Sequence, residues 1–292
     1  MHDPATLELL RAGKLEILGR IVEASNATLL CSVELDGVTG HCVYKPVQGE
    51  RPLWDFPDGT LAGREVASYL VSAASGWGVV PPTVLRDGPF GSGMVQLWID
   101  TPAASISDDE DSGAGSGSAA GSGSAAHREH VEQVSDLVEL CPPGAVPQGW
   151  MPILRAQDYS GEMVVLAHAD HPGLRRMAVL DVVLNNADRK GGHVLAGLDG
   201  GVYGVDHGIC LHSEPKLRTV LWGWAGEPIG DEAVEMLSKL ASLLEGELAD
   251  QLDEHLTIAE VQALRTRVRR LLATRVMPEP SGMRPAIPWP AF

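Results

Sequence analysis

The chain lacks any apolar run approaching the ~18 residues that a bilayer-spanning helix needs. Its opening stretch, MHDPATLELLRAGKLEILGR, mixes charges throughout and holds no apolar core of a signal peptide. Cysteine is scarce. The four residues Cys31, Cys42, Cys141 and Cys210 are scattered, without a CxxC pair or a framework spacing. That excludes a disulfide-stapled scaffold and points to reduced, buried thiols in a cytoplasmic protein. Histidine and cysteine never cluster at ligand spacing, which argues against a structural zinc site. Basic residues are few: 22 Lys and Arg against 39 Asp and Glu, a net charge of −17. General nucleic-acid binding is therefore not expected, nor is stable attachment to an anionic membrane. Neither a GxGxxG nor a Walker-A glycine loop is present.

What is there suits a folded two-lobed unit. Of 292 residues, 44% are hydrophobic, enough for an ample core. A short helix is expected over residues 6–12. Strands follow over 15–22, 28–35 and 41–46, with Asp36-Gly37 as a hairpin signal between the last two. On the third strand, His41, Val43 and Lys45 share one face and Cys42 and Tyr44 the other. A loop rich in Pro and Gly leads to a helix over 61–74, with Thr60 as its cap and Glu65 in its early turns. Residues 84–86 and 93–99 form another hairpin. Residues 101–126 hold an acidic run and then GAGSGSAAGSGSAA, a composition that cannot bury a core and reads as a flexible insertion. Beyond it a helix is expected over 130–140 and a loop over 146–160. Residues 162–168 are apolar and ambiguous. A helix capped by Asp170 comes next, with Asp181 inside it as a structural hydrogen-bonding group. Later helices are expected over 231–244 and from a Thr257 capping box to about 276, the latter with its arginines outward. Residues 277–292 form a Pro-rich tail.

The chemistry concentrates in LDVVLNNADRKGGHVLAGLDGGVYGVDHG, residues 180–208. Asp188 follows an apolar run and two asparagines. Asp206 closes a strand-like run and precedes His-Gly. Between them lie a short strand, an Asp-Gly-Gly turn and a second short strand. Such a hairpin brings two distant carboxylates to one mouth, where one orients a hydroxyl and the other holds a divalent cation.

This order resembles the catalytic core of the phosphatidylinositol 3-/4-kinase-like superfamily, and most closely the type II phosphatidylinositol 4-kinase-like bacterial proteins. Asp188-Arg189 fits the family's Asp-Arg, and Asp206-His207-Gly208 its metal-binding Asp-Phe-Gly. Val43-Tyr44-Lys45-Pro46 looks like the family's Lys-Pro strand end, and residues 78–83 (GVVPPT) its turn into the fourth strand. The acidic, Gly- and Ala-rich style of the chain suits an actinobacterial branch. The resemblance implies an α+β, two-lobed protein-kinase-like fold. Its parts would be a small antiparallel β-rich N-lobe with one helix (1–100), the insertion (101–128), a mainly helical C-lobe (129–277) and the tail (278–292).

By the same resemblance the chain is a phosphotransferase using ATP and Mg²⁺ or Mn²⁺. Lys45 would clamp phosphates and Glu65 hold Lys45. Asp188 and Arg189 would serve catalysis, and Asp206 would bind the metal. Ser25 and Asn26 would lie over the phosphates, and backbone groups of Gln96, Leu97, Trp98 and Ile99 would face the adenine. His193 stands where the family has a metal-binding Asn. Mg²⁺ prefers oxygen, so His193 suits Mn²⁺ better or touches a phosphate, and Asn186 is the alternative oxygen donor. Lys216 and Arg218 either meet an anionic acceptor or are solvated. The acceptor is a hydroxyl-bearing small molecule or protein. Two alternatives stay open: AMP transfer, and a nucleotide-binding pseudokinase acting through partners.

Overall fold

A computed structural model describes residues 3–21, 27–102, 137–158, 160–282 and 284–292. Helix α1 (Pro4–Ala12) starts where the Asp3 carboxylate accepts the Ala5 N–H and proline occupies the first turn. It leads into strands β1 (Lys14–Arg20), β2 (Leu29–Leu35) and β3 (Val38–Pro46). Asp36 and Gly37 turn β2 into β3 with φ of 50° and 81°, the left-handed pair that a tight hairpin requires. Helix α2 (Leu61–Ser75) follows, then β4 (Thr83–Gly88) and β5 (Gly91–Leu97). The five strands form one antiparallel sheet in the order β1-β2-β3-β5-β4.

Alternation along β3 decides what this sheet does. Cys42 and Tyr44 are buried on one face with Cys31, Val33, Val84 and Val95, against Leu9 and Leu10 of α1. Lys45 pairs in register with Met94 of β5 and so takes the opposite face. On that face Met94 packs on Ala62 and Val66 of α2. The sheet is thus covered by a helix on each side, and Lys45 points to the α2 side.

Helix α2 is buried nearly all round. Thr60 Oγ1 accepts the Gly63 N–H, and Gly76 ends the helix at φ 83°. The Glu50 carboxylate reaches from the preceding loop to accept the Leu61 and Ala62 N–H groups at 2.9 and 2.7 Å. Ala67 and Val71 join the large core that the rest of the chain builds.

The second lobe opens with strands β6 (Val138–Cys141), β7 (Trp150–Gln157) and β8 (Met163–Ala169), antiparallel in the order β6-β8-β7. This corrects two sequence expectations. Residues 138–140, read as the end of a helix, belong to a strand; residues 130–136 lie outside the described ones, as does most of the 101–126 insertion. Residues 150–157, read as loop, are an edge strand. Pro152 hid it, because proline interrupts a ladder; here it sits at a register shift on the outer strand, where it is tolerated.

Helix α3 (Pro172–Leu184) begins at His171, whose ring accepts the Gly173 N–H. Asp170, expected as the cap, instead accepts from the Trp224 indole. A hairpin of β9 (Val194–Ala196) and β10 (Val202–Gly204) precedes helices α4 (Asp231–Leu243), α5 (Glu247–Leu252) and α6 (Ile258–Thr274). Leu174, Met177, Leu180 and Leu184 of α3 pack with Leu237 and Leu240 of α4 and with Leu264 and Val268 of α6. No helix among the described residues is long and apolar enough to cross a membrane. All four cysteines are free and buried. The architecture is α+β and protein-kinase-like: an antiparallel sheet with α2 above, a mainly helical lobe below, and a cleft between them.

One buried ion pair ties α2 to α6. Arg64 meets Glu260 at 2.5 Å and also donates to the Cys210 and Asp58 carbonyls. The other Glu260 oxygen accepts from the backbone N–H and hydroxyl of Thr257, completing the capping box. Arg267 of α6, expected outward, instead turns in and donates to the Val183 and His212 carbonyls. Glu260→Ala leaves Arg64 buried without a counter-charge and should destabilise the fold by about 3–5 kcal/mol. Glu260→Gln keeps hydrogen bonding and should lose less. Denaturant unfolding of the two variants beside wild type measures the difference.

Candidate active site

The cleft between the lobes holds a cavity of about 440 Å³. Its wall includes Lys45 from β3, Glu65 from α2, Asp188 and His193 from the loop after α3, and Asp206 after β10. Lys45 donates to Glu65 Oε1 at 2.9 Å and forms a close ion pair with Asp206 Oδ1. Glu65 is buried and its second oxygen accepts the His207 N–H at 2.9 Å. Asp206 Oδ2 lies 3.3 Å from His193 Nε2. Asp206 adopts φ 59°, a left-handed conformation that non-glycine residues rarely take, which turns its carboxylate into the cleft.

The charges are mutually set. Burial pushes the Lys45 amine down, but Glu65 and Asp206 outweigh it and hold it charged, above its ordinary value. Burial pushes Asp206 up, and Lys45, with smaller contributions from His193 and His207, more than reverses this, leaving it ionised well below the usual carboxylate range. His193 is driven down to about 4 by burial; Asp206 opposes this and the Arg189, Lys190 and Lys45 cations reinforce it. Its ring is neutral at pH 7. Asp188 moves the other way. Burial raises it, and Lys190, 3.5 Å away, with Arg218 offsets this only in part. Asp188 and Asp206 are thereby separated in acidity, which is how neighbouring groups come to hold different roles.

A buried frame fixes the loop that carries Asp188. Arg189 is fully buried and forks onto Asp181 through Nε and Nη2 at 3.0–3.2 Å. It also donates to the carbonyls of His193 and Val205, and its Nη2 lies 2.7 Å from His207 Nε2. Gly204 makes room for this, since a Cβ there would sit 2.9 Å from the guanidinium. Arg189 therefore faces the interior and not the cleft, and it positions rather than reacts. Asp181 plays the structural part expected of it. Asn186 donates to Asp181 and accepts the Asp188 N–H, so its amide is committed within the frame and is not an open metal donor. Asn185, at φ 54°, donates to the His212 and Glu214 carbonyls and accepts the Lys216 N–H, pinning the segment after Asp206.

Other expected site residues fall elsewhere. The N–H groups of Leu97 and Trp98 donate to the Pro82 and His41 carbonyls and so are not open to a ligand. The Gln96 side chain donates to Thr83 inside the lobe. Leu97 and Ile99 line a second cavity, which Trp77, His171 and Tyr203 also border. Ser25 and Asn26 lie outside the described residues. Lys216 pairs with Asp55 at 3.1 Å and Arg218 donates to the Ala187 carbonyl, so both are engaged within the protein. Three contributors went unseen in the sequence: Glu50, Asp55 and the His207 ring. Glu50 and Asp55 sit in an aperiodic loop, where local pattern says nothing about partners.

No family model matches the chain. An alignment of 78 positions, covering 23% of this chain and 12% of phosphatidylinositol 4-kinase gamma 7 of Arabidopsis thaliana, is 35% identical. Among solved structures, the Golgi casein kinase superposes with TM-score 0.49 at 11% identity, covering 94% of this chain and 75% of that one. The same kinase with Mn/ADP bound gives 0.48 at 11% identity, covering 92% and 74%. The Helicobacter pylori proinflammatory kinase CtkA gives 0.40 at 10% identity, covering 91% and 94%. At these scores the fold rests on the chain's own architecture. One relative spans nearly the whole chain: Protein Rv2133c of Mycobacterium tuberculosis (strain ATCC 25618 / H37Rv) is 54% identical over 284 residues, 97% of this chain and 94% of that protein. The chain belongs to the family of Protein Rv2133c.

Proposed function

We propose that this protein is an ATP-dependent phosphotransferase of the phosphatidylinositol 3-/4-kinase-like superfamily, acting on a hydroxyl of a small molecule or a protein. One observation carries the reading. Lys45, Glu65, Asp188 and Asp206 come from four separate segments and meet in one cavity, with the lysine held between two carboxylates. A lysine so placed neutralises phosphate charge, which is the main task in phosphoryl transfer. The 101–128 segment would be an insertion between an N-lobe of residues 1–100 and a C-lobe of 129–277, with 278–292 as a tail. Four unpaired thiols suit a reducing, cytoplasmic setting.

Asp188 is the residue for the acceptor. Its carboxylate has a raised proton affinity, so it accepts a hydroxyl proton more readily than a solvated Asp. The acceptor oxygen would form a bond to the γ-phosphorus as the bond to the β,γ-bridging oxygen breaks. ADP would leave with that electron pair, and the proton would pass to Asp188. Arg189 and Asp181 would hold the loop, and Glu65 would hold Lys45.

The residues present fit a divalent cation. Asp206 Oδ2 and His193 Nε2 converge at the cavity wall, and His193 Nδ1 is buried without a hydrogen-bond partner. Among the described residues no three His, Cys, Asp or Glu side chains group as ligands. Phosphate oxygens and water would therefore complete the shell. When bound, the cation would neutralise phosphate charge. AMP transfer is the second reading. It draws on the N–H groups of Leu97 and Trp98 being taken up within the protein, so that neither fixes the nucleotide's direction.

Incubating the full chain with ATP labelled at either the α- or the γ-phosphate, in cell extract, separates the two. Label from the γ-position alone should appear in an acceptor, and Asp188→Asn should reduce its rate by about 10²-fold or more. Label from the α-position would overturn phosphoryl transfer in favour of AMP transfer. The variant should remain folded. A raised carboxylate pKa in the native state means that wild-type stability is full at low pH and is lost as pH rises through the carboxylate range. Asp188→Asn should thus be at least as stable as wild type at pH 7, with the gap closing on acidification, as read by thermal unfolding at several pH values.

A further inference from the structure

The two oxygens of Asp206 face different partners. Oδ1 is held by Lys45, while Oδ2 faces the imidazole of His193. The imidazole is fixed from its backbone. His193 ends a one-turn 3₁₀ helix, Gly191–His193, and donates its N–H to the Lys190 carbonyl. Its own carbonyl accepts from the Arg189 guanidinium and from the Val205 N–H. Arg189 in turn is anchored on Asp181, so the ring rests on the buried frame of the loop.

Two features argue that this ring is more than a structural partner of Asp206. The 3.3 Å separation is long for a hydrogen bond to a carboxylate, where about 2.7–2.9 Å is usual. The other ring nitrogen, Nδ1, is buried and has no partner among the described residues, so no bond on that side fixes the tautomer, and the proton can sit on Nδ1 once a cation offsets the Asp206 charge facing Nε2. With the proton on Nδ1, the Nε2 lone pair and Asp206 Oδ2 address the same point in the cavity. The Asn186 amide does not compete for that place: it is buried, its nitrogen donates to Asp181 and its oxygen accepts the Asp188 N–H.

We propose that His193 makes the cation site of this protein selective for a first-row transition ion of the Mn²⁺ kind over Mg²⁺. This rests on the nucleotide-binding reading above. The chemistry is that of the donors. Mg²⁺ demands oxygen ligands and sheds water reluctantly, whereas a neutral imidazole beside one carboxylate suits Mn²⁺ and its neighbours. Two protein donors with an otherwise oxygen shell of phosphate and water fit a six-coordinate ion better than a tetrahedral zinc.

The test uses the full chain with ADP, so no acceptor is needed. Binding of Mn²⁺·ADP is followed by electron paramagnetic resonance and displaced with Mg²⁺·ADP. Mn²⁺ should be preferred by roughly tenfold or more over Mg²⁺, and His193→Asn should bring the ratio near one. Electron spin echo modulation from ¹⁴N should be seen in wild type and should change on ¹⁵N-histidine labelling, which separates protein nitrogen from adenine nitrogen. His193→Gln serves as a second variant should Asn disturb the loop, and the labelling experiment needs no variant. Asp206-dependent Mn²⁺·ADP binding without a histidine coupling would overturn the selectivity while leaving the nucleotide site standing. An unchanged preference in both variants would do the same. No Mn²⁺·ADP binding at all would overturn the nucleotide reading itself.

Discussion

Glu65 is one buried carboxylate with two obligations. One oxygen holds Lys45 of the sheet lobe, and the other holds the backbone of His207 in the lobe below. A carboxylate so deeply placed is tolerable only if both oxygens are bonded and a cation is near. The cleft satisfies that requirement with the same groups that give it chemistry. Lys45 is charged because Glu65 and Asp206 surround it, and Asp206 is ionised because Lys45 is there. Stability and charge arrangement are thus one electrostatic problem, solved across three segments distant in sequence.

Beneath it lies a second, drier pair. Asp181 and Arg189 are buried together, and the guanidinium reaches on to the carbonyls of His193 and Val205. This places Asp188, His193 and Asp206 on one rigid support. Asn186 closes the loop from the other side through Asp181 and the Asp188 N–H. The result is a cleft whose charged side chains are held in place by buried partners, the preorganisation that the proposed chemistry would need.

Much of this was legible in the sequence because it depends on residue type and short-range order. Lys45 could be assigned a face from strand alternation, and Glu65 a helix from periodicity and the Thr60 cap. The two carboxylates of the 180–208 stretch were legible through the turns between them. What was missed depends on partners that local pattern does not name. Arg189 adjoins Asp188 in sequence, yet Asp181, one helical stretch earlier, draws it inward. Backbone groups of residues 96–99 were assigned to adenine, but whether a backbone N–H is free depends on which carbonyl the folded chain puts opposite it, here Pro82 for Leu97 and His41 for Trp98. Strand β7 was hidden by Pro152, which only an edge position makes acceptable. Glu50 reaches the start of α2 across a loop with no period to betray it.

The central claim is that this cleft binds a metal–nucleotide complex through Lys45 and Asp206. The most direct measurement is the thermal unfolding of wild type and of Asp206→Ala with ATP and Mg²⁺ or Mn²⁺. A metal-dependent rise in the wild-type midpoint that disappears in Asp206→Ala is the expected result. Wild-type protein that is folded, yet whose midpoint moves with no nucleotide and metal together, would contradict the claim and leave a kinase-like scaffold that acts through partners.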